Sequence, residues 1–132
     1  MGEVAARCYE AGIAALRPGR KFSEVWSAML EPLKRIDGWS LTPMIHSVAP
    51  LGWVGGMGFN LDRMPDELKH FRQAMRVEFG TRDLVLREGM SFAFEPNACK
   101  GQRRVNVGGT VVVTGGEPEQ LNALPNRLHV VS

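Results

Sequence analysis

The stretch Gly89-Met90-Ser91-Phe92-Ala93-Phe94-Glu95-Pro96 decides the fold and carries the strongest candidate functional residue. Its alternating apolar residues predict a β-strand. The carboxylate of Glu95 lies between Phe94 and Pro96, and an unpaired carboxylate is costly to bury. If nothing pairs with Glu95, burial raises its pKa; the alternative is that backbone N–H groups or Arg104 satisfy it. We therefore take Glu95 as the first candidate site residue.

A second apolar stretch predicts the neighbouring strand. Residues 90–98 and 104–114 read as two strands joined by the polar turn Lys100-Gly101-Gln102. The pair Gly108-Gly109 interrupts the second strand, and such pairs often mark a bulge or a close approach of backbone or ligand. We expect the glycine pair to border a cleft, and we expect Asn106 to project its amide into that cleft.

Two helices are predicted before these strands. Residues 3–17 carry one apolar stripe, and the turn Arg17-Pro18-Gly19 ends it. Ser23 is the expected N-cap of a second helix, which ends at Asp37-Gly38. Pro32 lies inside this second pattern and is expected to bend it or end it early.

The rest of the pattern indicates the fold class. A short strand, Met44 to Val48, carries His46, and Leu128 to Val131 is expected to form a terminal strand. Helices followed by antiparallel strands predict an α+β fold, with helices packed on one face of a curved, mainly antiparallel sheet. At 132 residues the chain is expected to form a single domain, residues 1–132.

Composition excludes several classes of protein. The apolar fraction of 44% and the charged fraction of 23% are typical of a globular domain. The formal net charge is +2 and the basic residues are scattered, so we expect no nucleic-acid partner. No apolar run is long enough to span a membrane, and no signal peptide is visible, so a cytoplasmic location is expected. Cys8 and Cys99 are expected to be free thiols.

The succession of motifs resembles the C-terminal half of the "pita-bread" hydrolases. After the helical hairpin and the strand with His46 come L-x-x-G-M-x-F-x-F-E-P, V-x-V-x-x-T-V-V-V-T and L-x-x-L-P-x-x-L. This family includes methionine aminopeptidase, aminopeptidase P, prolidase and creatinase. The likeness runs in order along essentially the whole chain, although residues 53–83 fit poorly.

This resemblance implies a peptidase site with two divalent metal ions, Mn, Co or Zn, that activate a bridging water. The family holds them with two Asp, one His and two Glu. His46 and Glu95 match one His and one Glu, whereas Gly108 and Gly109 stand where the second Glu and a following Asp are usual. The two aspartates belong to strands that precede the first helix and are expected to be absent here. The isolated chain is therefore expected to hold no metal cofactor.

Two functions follow from these observations. The first is a truncated peptidase-like hydrolase that lacks a competent dinuclear site, with His46 and Glu95 as its candidate catalytic residues and metal ligands. The alternative is a non-catalytic peptide-binding or protein-interaction module with a cleft at Asn106, Gly108 and Gly109. His46 itself is either a hydrogen-bonded structural residue or a metal-free acid–base group. Exposed strand edges predict a homo-oligomer, and a peptide is the expected ligand.

Overall fold

The computed structural model describes residues 1–41, 43–48, 54–56, 58–71 and 83–123. The expected terminal strand, Leu128 to Val131, lies outside the described residues, and so does most of the L-x-x-L-P-x-x-L motif.

Two helices form the predicted hairpin at the start of the chain. They are α1, Gly2–Ala15, and α2, Phe22–Lys34. Gly19, in the turn between them, has a φ of +83°, a conformation that glycine adopts without strain. The second helix begins earlier than expected, because the Glu24 carboxylate accepts a 2.7 Å hydrogen bond from the backbone N–H of Lys21. Pro32 does not end α2, which continues to Lys34.

Six strands form two antiparallel sheets among the described residues. In chain order the strands are β1 (Ile45–Ser47), β2 (Ser91–Phe94), β3 (Asn97–Lys100), β4 (Arg103–Asn106), β5 (Gly109–Val112) and β6 (Glu119–Gln120). The larger sheet has the order β1-β2-β5-β6, and β3 and β4 form a separate two-stranded ribbon. All pairings are antiparallel.

Each of the two long predicted strands is broken in the middle. The strand expected over residues 90–98 divides at Glu95-Pro96 into β2 and β3, and the strand expected over 104–114 divides at Val107-Gly108 into β4 and β5. Proline has no N–H to donate to a ladder, and glycine permits a sharp change of direction. The two breaks lie opposite each other, between the pair Phe94 with Gly109 and the pair Asn97 with Asn106. The ribbon of β3 and β4 therefore separates from the larger sheet beside Glu95.

The helices cover one face of the larger sheet and form the core with it. Phe92, Phe94 and Val111 are fully buried there with Met29 of α2. The rings of Tyr9 and Phe94 meet edge to face, with their centroids 5.5 Å apart. This arrangement confirms the predicted α+β fold with helices on an antiparallel sheet.

A smaller apolar cluster lies on the other side of the ribbon. It consists of Trp39, Leu61, Met64 and Cys99. Two 3₁₀ helices, Leu61–Arg63 and Asp66–Phe71, lie in this part of the chain. Cys8 and Cys99 are buried free thiols, as the sequence predicted. Among the described helices, none is long and apolar enough to cross a membrane.

Candidate functional site

Strands β1 and β2 bring His46 and Glu95 together. In their register His46 lies opposite Ala93, and the backbone N–H of Glu95 donates a 2.8 Å hydrogen bond to the carbonyl of Met44. The imidazole Nε2 of His46 then lies 3.6 Å from Oε2 of Glu95. The two side chains that the sequence singled out therefore face each other.

The imidazole is oriented by its other nitrogen. Nδ1 of His46 lies 2.9 Å from the carbonyl oxygen of Ser47, which can only accept, so Nδ1 carries a proton and donates. This leaves Nε2 directed at the carboxylate. Since a carboxylate only accepts, the two groups attract each other strongly when Nε2 also carries a proton. Such a pair can exchange protons with a bound molecule.

Glu95 is not the buried, unpaired carboxylate that the sequence suggested. Its side chain is 44% exposed, against 20% for His46, so water solvates it and no large desolvation cost arises. Arg104 does not pair with it. The guanidinium of Arg104 donates instead to Oδ1 of Asn97, with its Nε at 3.0 Å.

Asn97 is the residue that the sequence analysis missed. Only 3% of it is exposed, and its Nδ2 donates to the carbonyl of Pro43 at 3.1 Å and to that of Glu95 at 2.7 Å. Arg104 donates to its Oδ1 through Nε and through Nη2. Asn97 thus links the segment before β1 to the backbone of Glu95 and fixes the base of the site. An amide directly after a proline that ends a strand was the signal available.

Gly108 lies beside Glu95. A Cβ at this position would lie 2.9 Å from the carbonyl oxygen of Phe94 and 3.7 Å from Cγ of Glu95. A carbon atom does not approach an oxygen that closely, so any side chain at 108 requires the backbone to shift. The local backbone is built around a glycine here.

Gly109 does not leave an empty space, contrary to the expectation that the glycine pair opens a cleft. A Cβ at 109 would overlap the amide of Asn122. That amide accepts a 3.2 Å hydrogen bond from the backbone N–H of Thr110 and donates a 3.0 Å bond to the hydroxyl of Tyr9. Asn122 therefore fills the volume that a side chain at 109 would need.

Asn106 occupies a different place from the one expected for the cleft. It is exposed at the end of β4, opposite Asn97 in the register of the ribbon. In the part of the chain that the structure describes, its amide makes no hydrogen bond to His46 or Glu95. The structure therefore groups His46, Glu95 and Gly108, and it leaves Asn106 on the ribbon.

The described residues do not fit a dinuclear metal centre. Among them, no three His, Cys, Asp or Glu side chains lie close enough to hold a metal ion. His46 and Glu95 offer two donor groups, whereas paired divalent cations need a larger set of anionic ligands to bind and to activate water. Positions 108 and 109 are glycines, which carry no ligating side chain.

Comparison with known proteins places this chain in a family. Residues 2–115 match the family model of the metallopeptidases of family M24, so the chain belongs to that family. Its fold is that of the pita-bread hydrolases, which confirms the predicted resemblance. The family is one of metallopeptidases.

Solved structures show the same fold. The chain is 20% identical to dipeptidase PepE from Mycobacterium ulcerans, with a TM-score of 0.68, over 96% of this chain and 29% of that one. It is 18% identical to an X-Pro aminopeptidase from Thermotoga maritima, with a TM-score of 0.66, over 98% of this chain and 32% of that one. For methionine aminopeptidase from Rickettsia prowazekii the identity is 17% and the TM-score 0.57, over 89% and 49% of the two chains.

Each of these solved structures is longer than this chain, which matches only a part of it. The chain spans 29% of the Mycobacterium dipeptidase and 31% of a dipeptidase from Pyrococcus horikoshii. No curated protein sequence matches this chain.

Proposed function

We propose that this chain is a peptidase-like domain that lacks a competent dinuclear metal centre and does not hydrolyse peptides by itself. The observation that carries the proposal is the contact at Gly108, where even a Cβ would press against the carbonyl of Phe94. Position 108 is where the family resemblance implies the second ligand Glu. Glycine supplies no ligand, and a larger residue there would require the backbone or the Phe94 carbonyl to shift.

His46 and Glu95 remain as the candidate catalytic residues in this proposal. Their 3.6 Å separation and their partial exposure allow a bound molecule to reach both. With its Nδ1 held by the carbonyl of Ser47, the imidazole presents Nε2 to a bound molecule. This arrangement supports a metal-free role in proton transfer for the pair.

Metal titration tests the proposal directly. Purified protein is assayed for bound metal and then mixed with manganese, cobalt and zinc while its melting temperature is followed. A ligand that binds only the folded state raises that temperature. We expect the purified protein to hold less than one metal ion per chain, and we expect no rise in melting temperature that depends on Glu95. We also expect no cleavage of Xaa-Pro or Met-Xaa peptides.

Matched variants make the result specific. Glu95→Gln removes the carboxylate charge at the site, and Glu119→Gln removes one from the exposed strand β6 as the control. Two equivalents of tightly bound metal, together with peptide cleavage that Glu95→Gln abolishes and Glu119→Gln preserves, would refute the proposal.

The second candidate function is a peptide-binding or protein-interaction module. Its support is the half-exposed carboxylate of Glu95 beside the exposed backbone at Gly108. A carboxylate in such a position can pair with the free amino group of a peptide. Binding of a peptide with a free N-terminus, weakened by Glu95→Gln and by acetylation of the peptide, supports this function. Turnover of a small amidine or amide substrate without such binding supports the first function.

Assembly and location belong to the same proposal. We propose that this chain associates with a second copy of itself, and that residues 1–132 act as one cooperative domain in the cytoplasm. Exposed sheet edges favour association. Light scattering at micromolar concentration that finds only a monomer contradicts the homo-oligomer, and two separate unfolding transitions contradict the single domain.

A further inference from the structure

Strand β4 has one backbone edge to which no described residue makes a backbone hydrogen bond. On its inner side, β4 pairs with β3. Strand β3 is paired on its other side too, because Cys99 and Trp39 exchange two backbone hydrogen bonds of 3.0 Å each. The ribbon therefore ends at β4.

The register shows which groups face outward at this edge. The N–H and C=O of Cys99 point toward Trp39 and therefore away from β4. Arg104 lies opposite Cys99 in β4, so these two residues form a pair without mutual hydrogen bonds. The N–H and C=O of Arg104 therefore point away from β3, and those of Asn106, two residues further, do the same. Within the described ranges, neither residue has a backbone partner on that side. This open edge offers two donors and two acceptors to an added strand.

The ribbon that carries this edge has a charge of one sign. Residues 97–106 include Lys100, Arg103 and Arg104 and no Asp or Glu. Lys100 and Arg103 are exposed, and Arg104 directs only its Nε and Nη2 to Asn97, so other guanidinium N–H groups stay available. Side chains of an added strand would lie within about 5 Å of those on β4.

We propose that the open edge of β4 binds an extended acidic segment of another protein, which adds to the ribbon as a further strand. Main-chain hydrogen bonds to Arg104 and Asn106 supply the affinity, and carboxylates beside Arg103 and Arg104 supply the selectivity. A second copy of β4 is a poorer occupant, since pairing two ribbons gathers six positive charges without an acidic residue between them. The proposal does not depend on the chemistry of His46 and Glu95.

Hydrogen exchange with a defined peptide tests this proposal. The probe is a short fluorescent peptide of alternating Glu and Thr, with alternating Lys and Thr as its matched control. We expect the acidic peptide to bind at low salt and the basic one not to bind. In the free protein the amides of Arg104 and Asn106 should exchange fast and that of Val105 slowly. The acidic peptide should slow the first two and leave Val105 unchanged.

Two variants separate the backbone contribution from the charge. Asn106→Pro removes the outward N–H without touching the hydrogen bonds to β3, and Asn106→Ala is its control. We expect binding to weaken about tenfold in the proline variant only, which corresponds to about 1.4 kcal/mol. Arg103→Glu should weaken binding of the acidic peptide and allow the basic peptide to bind.

Several outcomes would overturn the proposal. These are equal binding by the proline and alanine variants, equal binding of the two peptides, and no binding of the acidic peptide at low salt. Slow exchange at Arg104 and Asn106 in the free protein, together with a mass that rises with concentration, would assign the edge to a second copy instead. None of these results bears on metal binding at Glu95, so the function proposed above is tested separately.

Discussion

The amide of Asn122 lies in the volume where a side chain at position 109 would begin. It holds this position through the N–H of Thr110 and the hydroxyl of Tyr9, and so links the end of the described chain to β5 and to α1. The amide of Asn122 can therefore occupy this position only because residue 109 is a glycine.

Gly109→Ala is expected to destabilise the protein. The added methyl group must displace the Asn122 amide and its two hydrogen bonds, at a cost of about 1–3 kcal/mol. Urea unfolding measures this cost. Gly116→Ala is the control, because a Cβ there meets no atom within 4 Å. The double variant Gly109→Ala, Asn122→Ala should recover part of the loss, and strict additivity of the two single effects would argue against the pairing.

Asn97→Ala is expected to lower the free energy of unfolding by about 2–4 kcal/mol. Its amide donates to the carbonyls of Pro43 and Glu95 and accepts from the guanidinium of Arg104. Loss of the amide leaves these buried polar groups without partners. Chemical denaturation gives the value. Asn97→Asp keeps an acceptor for Arg104 but removes both donors, so it should also destabilise. A neutral effect of Asn97→Ala would show that water replaces the amide at no cost.

Gly12→Ala is expected to loosen the packing of α1 on the sheet. A Cβ there would lie 2.6 Å from the ring of Phe94 and 2.7 Å from Cγ of Met29, and both side chains are fully buried. Alanine favours a helix over glycine by about 1 kcal/mol, but overpacking costs about 1–3 kcal/mol. We expect a net loss of stability in thermal unfolding, and a rise in melting temperature would contradict the close contact.

The two cysteines are expected to make stability fall at high pH. Burial raises the pKa of Cys8 to about 12 and that of Cys99 to about 11. In the unfolded chain the thiols ionise with an ordinary pKa near 9.0, so above that pH the unfolded state releases protons that the folded state retains. The stability present below pH 9.0 is lost as pH rises toward 11 and 12, by at most about 1.4 kcal/mol per pH unit for each thiol.

Thiol labelling gives a second measurement of the same effect. At pH 8 the folded protein should react slowly with iodoacetamide at both cysteines, and urea should restore fast labelling. Rapid labelling of the folded protein, or stability that is flat between pH 9 and 11, would show that these thiols are not buried.

Much of the fold could be predicted because its signals are local. The apolar stripe of α1, the turn at Gly19 and the alternation in β2 each follow from a few neighbouring residues. The breaks at Pro96 and Gly108 were harder to predict, because a strand pattern continues through both. Only the pairing of β2 with β5 and of β3 with β4 reveals two sheets.

The site was predictable in part for the same reason. Glu95 and His46 stand out because polar groups are unusual in short apolar strands, and the register of β1 and β2 then brings them together. The partners of Asn97 and Asn122 lie far away in sequence, at Pro43 and Tyr9, and no local pattern reveals either pairing. The exposure of Glu95 likewise depends on where the ribbon leaves the sheet.

The separation of the ribbon from the larger sheet also bears on how this domain can vary in length. The tip of the ribbon, at Gly101 with its φ of +56°, projects past the last strand pair, Lys100 with Arg103. Residues inserted there in pairs would lengthen β3 and β4 equally and leave the alignment of His46 with Glu95 unchanged. The tip is therefore a position where evolution, or an engineered epitope tag, can enlarge the domain without disturbing the pair of His46 and Glu95.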